Sequence, residues 1–246
     1  MKILDCSCKN ISKLENLPTS LLGLNCSFNL ITTLENLPTS LIQLDCNYNH
    51  ITKLENLPTS LLTLECRCNG ITTLQNLPDL ITLNCSGNLI STLDNLPHSL
   101  STLYCRYNLI STLENIPTSL STLNCSGNHI TKLENLPDSL TKLYCSNNRI
   151  TKIENLPRYL RYIDYSGNNI EYIDNISILF FNGKFNLKHY NVIRRYQRKF
   201  RRKIKKNNDV KVIQKLCHNW LFSPLCKDFT IGISIRFAWY DIQTLS

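Results

Sequence analysis

The 246-residue chain holds only seven glycines, one methionine, two tryptophans and five histidines. Seven scattered glycines leave no glycine-rich loop to cradle a phosphate on backbone N–H donors. No Ser/His/Asp set suggests nucleophilic catalysis, and no clustered Cys-x-x-Cys spacing suggests a metal site. Acidic residues are scarce in one region alone. Residues 176–246 hold 3 Asp and Glu against 15 Lys and Arg, a net of +12, whereas residues 1–175 hold 15 against 12, a net of −3. The chain therefore reads as two units of opposite charge, a repeat region over 1–175 and a basic region over 176–246. No small-molecule substrate and no cofactor are expected.

What is abundant is periodic. Cysteine recurs at Cys6, Cys26, Cys46, Cys66, Cys85, Cys105, Cys125 and Cys145, in steps of twenty with one of nineteen, and Tyr165 takes the same slot one step on. A period this strict means a solenoid. The unit is L-x-x-L-x-C-x-x-N-x-I-x-x-L-x-N-L-P-x-S, as in Leu21, Leu24, Cys26, Asn29, Ile31, Leu34, Asn36, Leu37, Pro38 and Ser40. Leu24 and Cys26 alternate with Gly23, Asn25 and Ser27, the two-residue period of a short strand with one buried face. Pro38 and its equivalents remove a backbone donor and push the preceding leucine towards extended geometry. The return limb is therefore expected to be extended or polyproline-like, not helical. Each coil points six apolar side chains inward and buries them only by stacking on its neighbours. The missing residue between Pro78 and Leu80 is expected to be absorbed on that limb without disturbing strand register.

The first half of the unit carries the leucine-rich repeat signature, with cysteine in place of the third leucine. The second half, L-x-N-L-P-x-S-L, resembles the short repeats of bacterial effector leucine-rich proteins, and similar arrays occur in giant viruses of amoebae. The resemblance covers about residues 1–175, nine copies. It implies a leucine-rich repeat solenoid with parallel β strands on the concave face, an extended convex face and a small α+β C-terminal cap.

Two asparagine columns run along the array, one from Asn29 to Asn168 and one from Asn16 to Asn175. Both are expected to form hydrogen-bonded ladders between coils. For the cysteine column, small apolar core fillers are preferred over disulfides and over a metal or redox wire. Met1 already sits in the first leucine position, so no export signal is expected. With free thiols this points to an intracellular protein, cytoplasmic rather than nuclear, in the host cell if viral.

The resemblance places the exposed strand positions on the concave face. Most are small and polar. Tyr104, Arg106, Tyr107, Lys142, Tyr144 and Tyr162 gather in the C-terminal half, and Tyr and Arg dominate interface hot spots. They are the candidate protein-binding residues.

Beyond residue 175 the repeat stops. A hairpin over 176–187, turning at Asn182-Gly183, would cover the last coil. Residues 188–206 read as a basic amphipathic helix whose Arg194, Arg195, Arg198, Lys199, Arg201, Arg202, Lys203, Lys205 and Lys206 suit nucleic acid, an anionic membrane surface or a calmodulin-like groove. A second helix over 210–221 and a strand over 229–240 complete the tail. Cys226-Lys227-Asp228 matches the catalytic Cys-x-Asp of ubiquitin-ligase effectors, whose catalytic domains are several times longer than this tail. The preferred function is non-enzymatic binding of a protein partner on the concave face. The alternatives are a nucleic-acid or anionic-lipid tether through 188–206 and, remotely, a ligase using Cys226.

Overall fold

Residues 2–173 are described by the structure, a computed structural model. The expected hairpin, helices and strand beyond residue 175, the nine basic residues between 194 and 206, and Cys226 lie outside the described residues. Each repeat contributes one short strand: β1 (Ile3–Asp5), β2 (Gly23–Asn25), β3 (Gln43–Asp45), β4 (Thr63–Glu65), β5 (Thr82–Asn84), β6 (Thr102–Tyr104), β7 (Thr122–Asn124), β8 (Lys142–Tyr144) and β10 (Tyr162–Asp164). These nine form one parallel sheet in sequential order. On the return limb β9 (Lys152–Ile153) pairs in parallel with β11 (Tyr172–Ile173). No helix occurs among the described residues, as the prolines led one to expect.

Register is constant along the sheet, with Leu4, Leu24, Leu44, Leu64, Leu83 and Leu103 paired in succession. The nineteen-residue repeat keeps it, because Leu64 still pairs with Leu83. The deletion is taken up in the proline turn: Leu80 N–H donates to the Pro78 carbonyl at 2.7 Å, where a full-length turn runs from Leu61 to Pro58 at 3.1 Å.

Each interior coil buries Leu, Leu, Cys, Ile and Leu, as Leu41, Leu44, Cys46, Ile51 and Leu54 show. The sixth inward side chain differs from expectation. Leu37, Leu57, Leu77 and Leu136 are half-buried, while Pro38, Pro58, Pro97, Pro117 and Pro137 are buried; the coil that follows the short repeat buries Leu96 as well as Pro97, and the short repeat itself leaves Pro78 half-buried. The asparagine two residues before the proline explains the exchange. Asn36 has φ 57°, and its equivalents from Asn16 to Asn155 lie between 52° and 62°, so a left-handed turn swings the proline ring inward. Burying a Leu or Ile side chain contributes roughly 1.5–3 kcal/mol, shared between coils because no coil encloses a core alone.

The two asparagine columns therefore have different roles. In the first, every member bonds two coils. Asn108 Oδ1 accepts from Ile90 N–H at 3.0 Å, and its Nδ2 donates to the carbonyls of Cys85, Cys105 and Arg106 at 3.0, 3.2 and 3.3 Å. Asn49, Asn88, Asn128 and Asn148 repeat this pattern. The first repeat has Lys9 in this slot, and Asn29 of the next coil caps its backbone by accepting from Lys9 and Ile11 N–H. The second column is exposed, and among the described residues it shows one side-chain bond, Asn115 Nδ2 to Asp94 Oδ1 at 3.1 Å. That column is not a ladder. Asparagine is there because it tolerates the left-handed region better than other residues with a Cβ. A real second ladder comes from the serine of L-P-x-S: Ser40, Ser60, Ser99, Ser119 and Ser139 donate to the leucine carbonyl of the preceding coil at 2.7–2.9 Å.

Seven of the eight periodic cysteines are buried, and Cys6, in the end coil, is half-buried. All ten cysteines of the described region are free thiols. Burial pushes Cys26, Cys85 and Cys125 up to about 12 and Cys46, Cys66, Cys105 and Cys145 well above the ordinary thiol value. These are packing residues with little thiolate at neutral pH. Tyr165 is likewise buried and raised to about 12 by burial.

Candidate functional site

The sheet's outward positions form columns one strand spacing apart, roughly 4.8 Å. The column after the central leucine runs Asp5, Asn25, Asp45, Glu65, Asn84, Tyr104, Asn124, Tyr144 and Asp164, in register. Of the residues singled out from the sequence, Tyr104 ends β6, Lys142 opens β8, Tyr144 ends β8 and Tyr162 opens β10. Arg106 and Tyr107 follow β6 and are exposed.

The structure gathers five of these six residues into two groups rather than one, with Tyr104 on the strand that precedes Arg106 and Tyr107. Tyr144 and Tyr162 have ring centroids 4.8 Å apart with planes tilted by 43°. Lys142 lies in register with Tyr162. Burial first, then the Asp164 carboxylate and Tyr144, raise the Tyr162 hydroxyl above its ordinary value. In the other group the Arg106 guanidinium carbon sits 5.1 Å from the Tyr107 ring centroid, a cation–π pair. The Tyr107 ring in turn covers Gly127, where an added Cβ would stand 2.5 Å from Tyr107 Cδ1. Tyr104 and Tyr144 are separated by the Asn124 strand, two spacings or about 10 Å.

A third group was not singled out from the sequence. Phe28 and Tyr48 stack with centroids 4.3 Å apart and planes 10° from parallel, yet remain 54% and 39% exposed. They share one slot with Cys8, Cys68, Gly87, Tyr107, Gly127, Asn147 and Gly167, and that slot is left-handed in every repeat, with φ between 52° and 70°. Glycine and asparagine fit there, whereas a residue with a bulky side chain costs about 1–2 kcal/mol. The signal was in the sequence: aromatic side chains stand where sister repeats carry glycine.

Around this stack the face differs from its C-terminal part. Asp45 and Glu65 are register neighbours. Burial raises the Glu65 carboxyl above its ordinary value, the Asp45 charge adds to this, and Asn84 Nδ2, donating to Glu65 Oε2 at 2.8 Å, opposes it. The position preceding β2 to β5 is apolar, with Leu62 and Ile81 exposed. It becomes hydroxylic further on, where Ser101 and Ser121 Oγ lie 3.1 Å apart and Thr141 Oγ1 donates to the Ser121 carbonyl at 3.1 Å. No group of three or more His, Cys, Asp or Glu among the described residues could hold a metal ion. The geometry offers surfaces for contact.

Residues 118–158 match the family described as Leucine Rich repeats (2 copies). No curated protein matches the chain. Among solved structures, YopM from Yersinia enterocolitica is 34% identical over 67% of this chain, with a TM-score of 0.53, and the chain spans 42% of that protein. A Shigella effector LRR domain is 27% identical over 71% of this chain and 82% of its own length, with a TM-score of 0.55. The functional domain of InlJ from Listeria monocytogenes, which includes a cysteine ladder, is 28% identical over 77% of this chain and 46% of its own, with a TM-score of 0.52. Repeat signature, parallel in-register coils and these similarities make the chain a leucine-rich repeat protein, similar in its short repeats to bacterial effectors.

Proposed function

We propose that the protein is a non-enzymatic recognition module that binds a protein partner on the concave face. Leucine-rich repeat solenoids are typically protein-interaction modules, bacterial effectors among them. The observation that supports the reading most is the arrangement of tyrosine and arginine on a rigid ladder, Arg106 over Tyr107 and Tyr144 against Tyr162, fixed by strands in constant register. Aromatic side chains already held in place lose little entropy on binding, and Tyr and Arg supply most hot-spot energy. Full-length chain carrying Tyr104→Ala, Tyr107→Ala and Tyr144→Ala should lose capture of a cross-linked partner. Replacing the nine basic residues between 194 and 206 by glutamine should leave that capture intact.

A second reading rests on charge. Residues 176–246 carry a net +12, nine of the cations lying within thirteen residues, which suits a tether to nucleic acid or an anionic lipid surface. It predicts binding that falls steeply with ionic strength and vanishes in the glutamine variant. Retention on DNA or anionic vesicles that survives in that variant would eliminate it.

A further inference from the structure

We propose that the stacked Phe28–Tyr48 pair and the neighbouring Asp45–Glu65 carboxylates form a docking surface for an extended protein segment that presents an arginine or lysine side chain. The inference rests on the concave-face reading and names the chemistry of one partner contact.

The repeats supply their own internal control. The slot of Phe28 and Tyr48 is left-handed in all nine coils, and Gly87, Gly127, Asn147 and Gly167 fill it without bulky side-chain strain. Phe28 and Tyr48 take the same backbone at φ 55° and 53°. Their rings do not recover the strain by burial, since both remain substantially exposed. Aromatic rings kept outside the core at a strained position mark a contact surface, the direction in which backbone outliers are properly read.

Charge decides what makes the contact. Asp45 lies three residues before Tyr48 in the same coil, and Glu65 is its register partner. Like charges directly opposite across strands destabilise a sheet. Among the described residues the ion pairs are Lys53–Glu55, Lys132–Glu134 and Arg158–Asp138, so neither Asp45 nor Glu65 has a cation within ion-pair distance. Arg67, whose charge acts on Glu65 and lowers its carboxyl, lies two residues on in sequence, and its backbone N–H bonds Asn47 Oδ1. Asn84 and the Asn47 backbone N–H bond these carboxylates, but no cation among the described residues pairs with them. A flat aromatic pair on adjoining coils suits a guanidinium or ammonium group, which stacks on rings and bonds carboxylates. The same carboxylates repel phosphate, which disfavours nucleic acid on this face.

The test uses full-length protein on immobilised, end-capped dodecapeptides identical except for a central arginine, lysine, norleucine or glutamate. Arginine and lysine peptides should be retained about tenfold better than norleucine, and glutamate least. Phe28→Gly/Tyr48→Gly and, separately, Asp45→Asn/Glu65→Gln should each remove that preference. The glycine variant keeps a compatible backbone, so an unchanged melting temperature shows that the loss is one of contact. Equal retention of arginine and norleucine peptides overturns the inference, as does a preference that survives in the glycine variant. Retention of single-stranded DNA oligonucleotide that the glycine variant loses also overturns it. If peptides bind without charge preference and only Tyr104→Ala/Tyr107→Ala/Tyr144→Ala abolishes binding, the concave-face function stands and this inference falls.

Discussion

Inside and outside, the same coils follow different rules. The interior columns of leucine, cysteine, isoleucine and asparagine hardly change from coil to coil, whereas the outward columns change from acidic and aromatic to hydroxylic and then to tyrosine-rich. An interior position is shared by two coils, so a single change there disturbs both. An outward position on the same strand meets solvent and is free to vary. The constant side specifies the solenoid and the variable side is where recognition can reside. The left-handed slot connects the two: its backbone is as constant as the core, while its side chains range from glycine to tyrosine.

The largest effect that could break this comparison is expected at Asn108. Asn108→Ala removes the acceptor for Ile90 N–H and the donor to the Cys85 and Cys105 carbonyls. Leaving these buried groups unpaired should cost about 2–4 kcal/mol in urea unfolding. Asn115→Ala, in the exposed turn column at φ 60°, should cost about 1 kcal/mol, and Asn115→Gly almost nothing. Equal losses at Asn108 and Asn115 would mean that the two columns share one role after all.

That pair of asparagines also shows how far the sequence could be read. Period, strand phase and parallel order follow from spacing, because each coil must align its leucines with the next to bury them, and the extended return limb follows from its recurrent proline. The deletion near Pro78 leaves Leu64 paired with Leu83 for the same reason. Two columns of one residue type, however, look alike in a string of letters, and only backbone torsion separates an amide that bonds its neighbours from one that tolerates a turn. The sixth inward position went to proline instead of leucine for that reason. Candidate contact residues were legible where they were chemically conspicuous, as at Arg106 and Tyr107. Their division into two groups depends on the Asn124 strand between Tyr104 and Tyr144, and the Phe28–Tyr48 pair needed the slot's geometry to stand out.

The cysteine column sharpens the interior side. Cys105→Ser introduces a buried hydroxyl and should cost about 1–3 kcal/mol in the same unfolding measurement. The column also sets an alkaline limit. Folded thiols at Cys26, Cys85 and Cys125 titrate near 12, above the ordinary value of 9.0. The folded state therefore holds its protons longer than the unfolded one. Stability is fully present below about pH 9 and is lost as pH rises from there through 12. Iodoacetamide on native protein should label Cys8 and Cys68 well before the seven buried thiols, followed by mass spectrometry. Rapid labelling of Cys105 would show that the outward face has been assigned to the wrong side of the strand.

On the outward side, removing an aromatic should not weaken the fold. Phe28→Gly and Tyr48→Gly relieve left-handed strain and lose a ring stack worth about 0.5–1.5 kcal/mol, so melting should be unchanged or raised by an amount worth up to about 1 kcal/mol. The reverse change is not tolerated equally. Gly127→Ala, at φ 69° and against the Tyr107 ring, should cost about 1–2 kcal/mol. A clear loss of stability in the two glycine variants would place those rings in the structural half of the comparison.

The smallest expected effect is at Glu65, where the outward face is strained by charge. Its folded carboxyl is raised first by burial and then by Asp45. A raised carboxyl favours the protonated form, so folding is best supported at acid pH and that support is lost as pH climbs through the raised value. Glu65→Gln keeps an acceptor for Asn84 and removes the repulsion from Asp45. It should gain a few tenths of a kcal/mol at neutral pH, for a half-exposed pair in which water screens most of the charge. Below the ordinary carboxylate range, where Glu65 is itself neutral, variant and parent should melt together. A gain that persists in acid would trace the effect to packing and not to repulsion between Asp45 and Glu65.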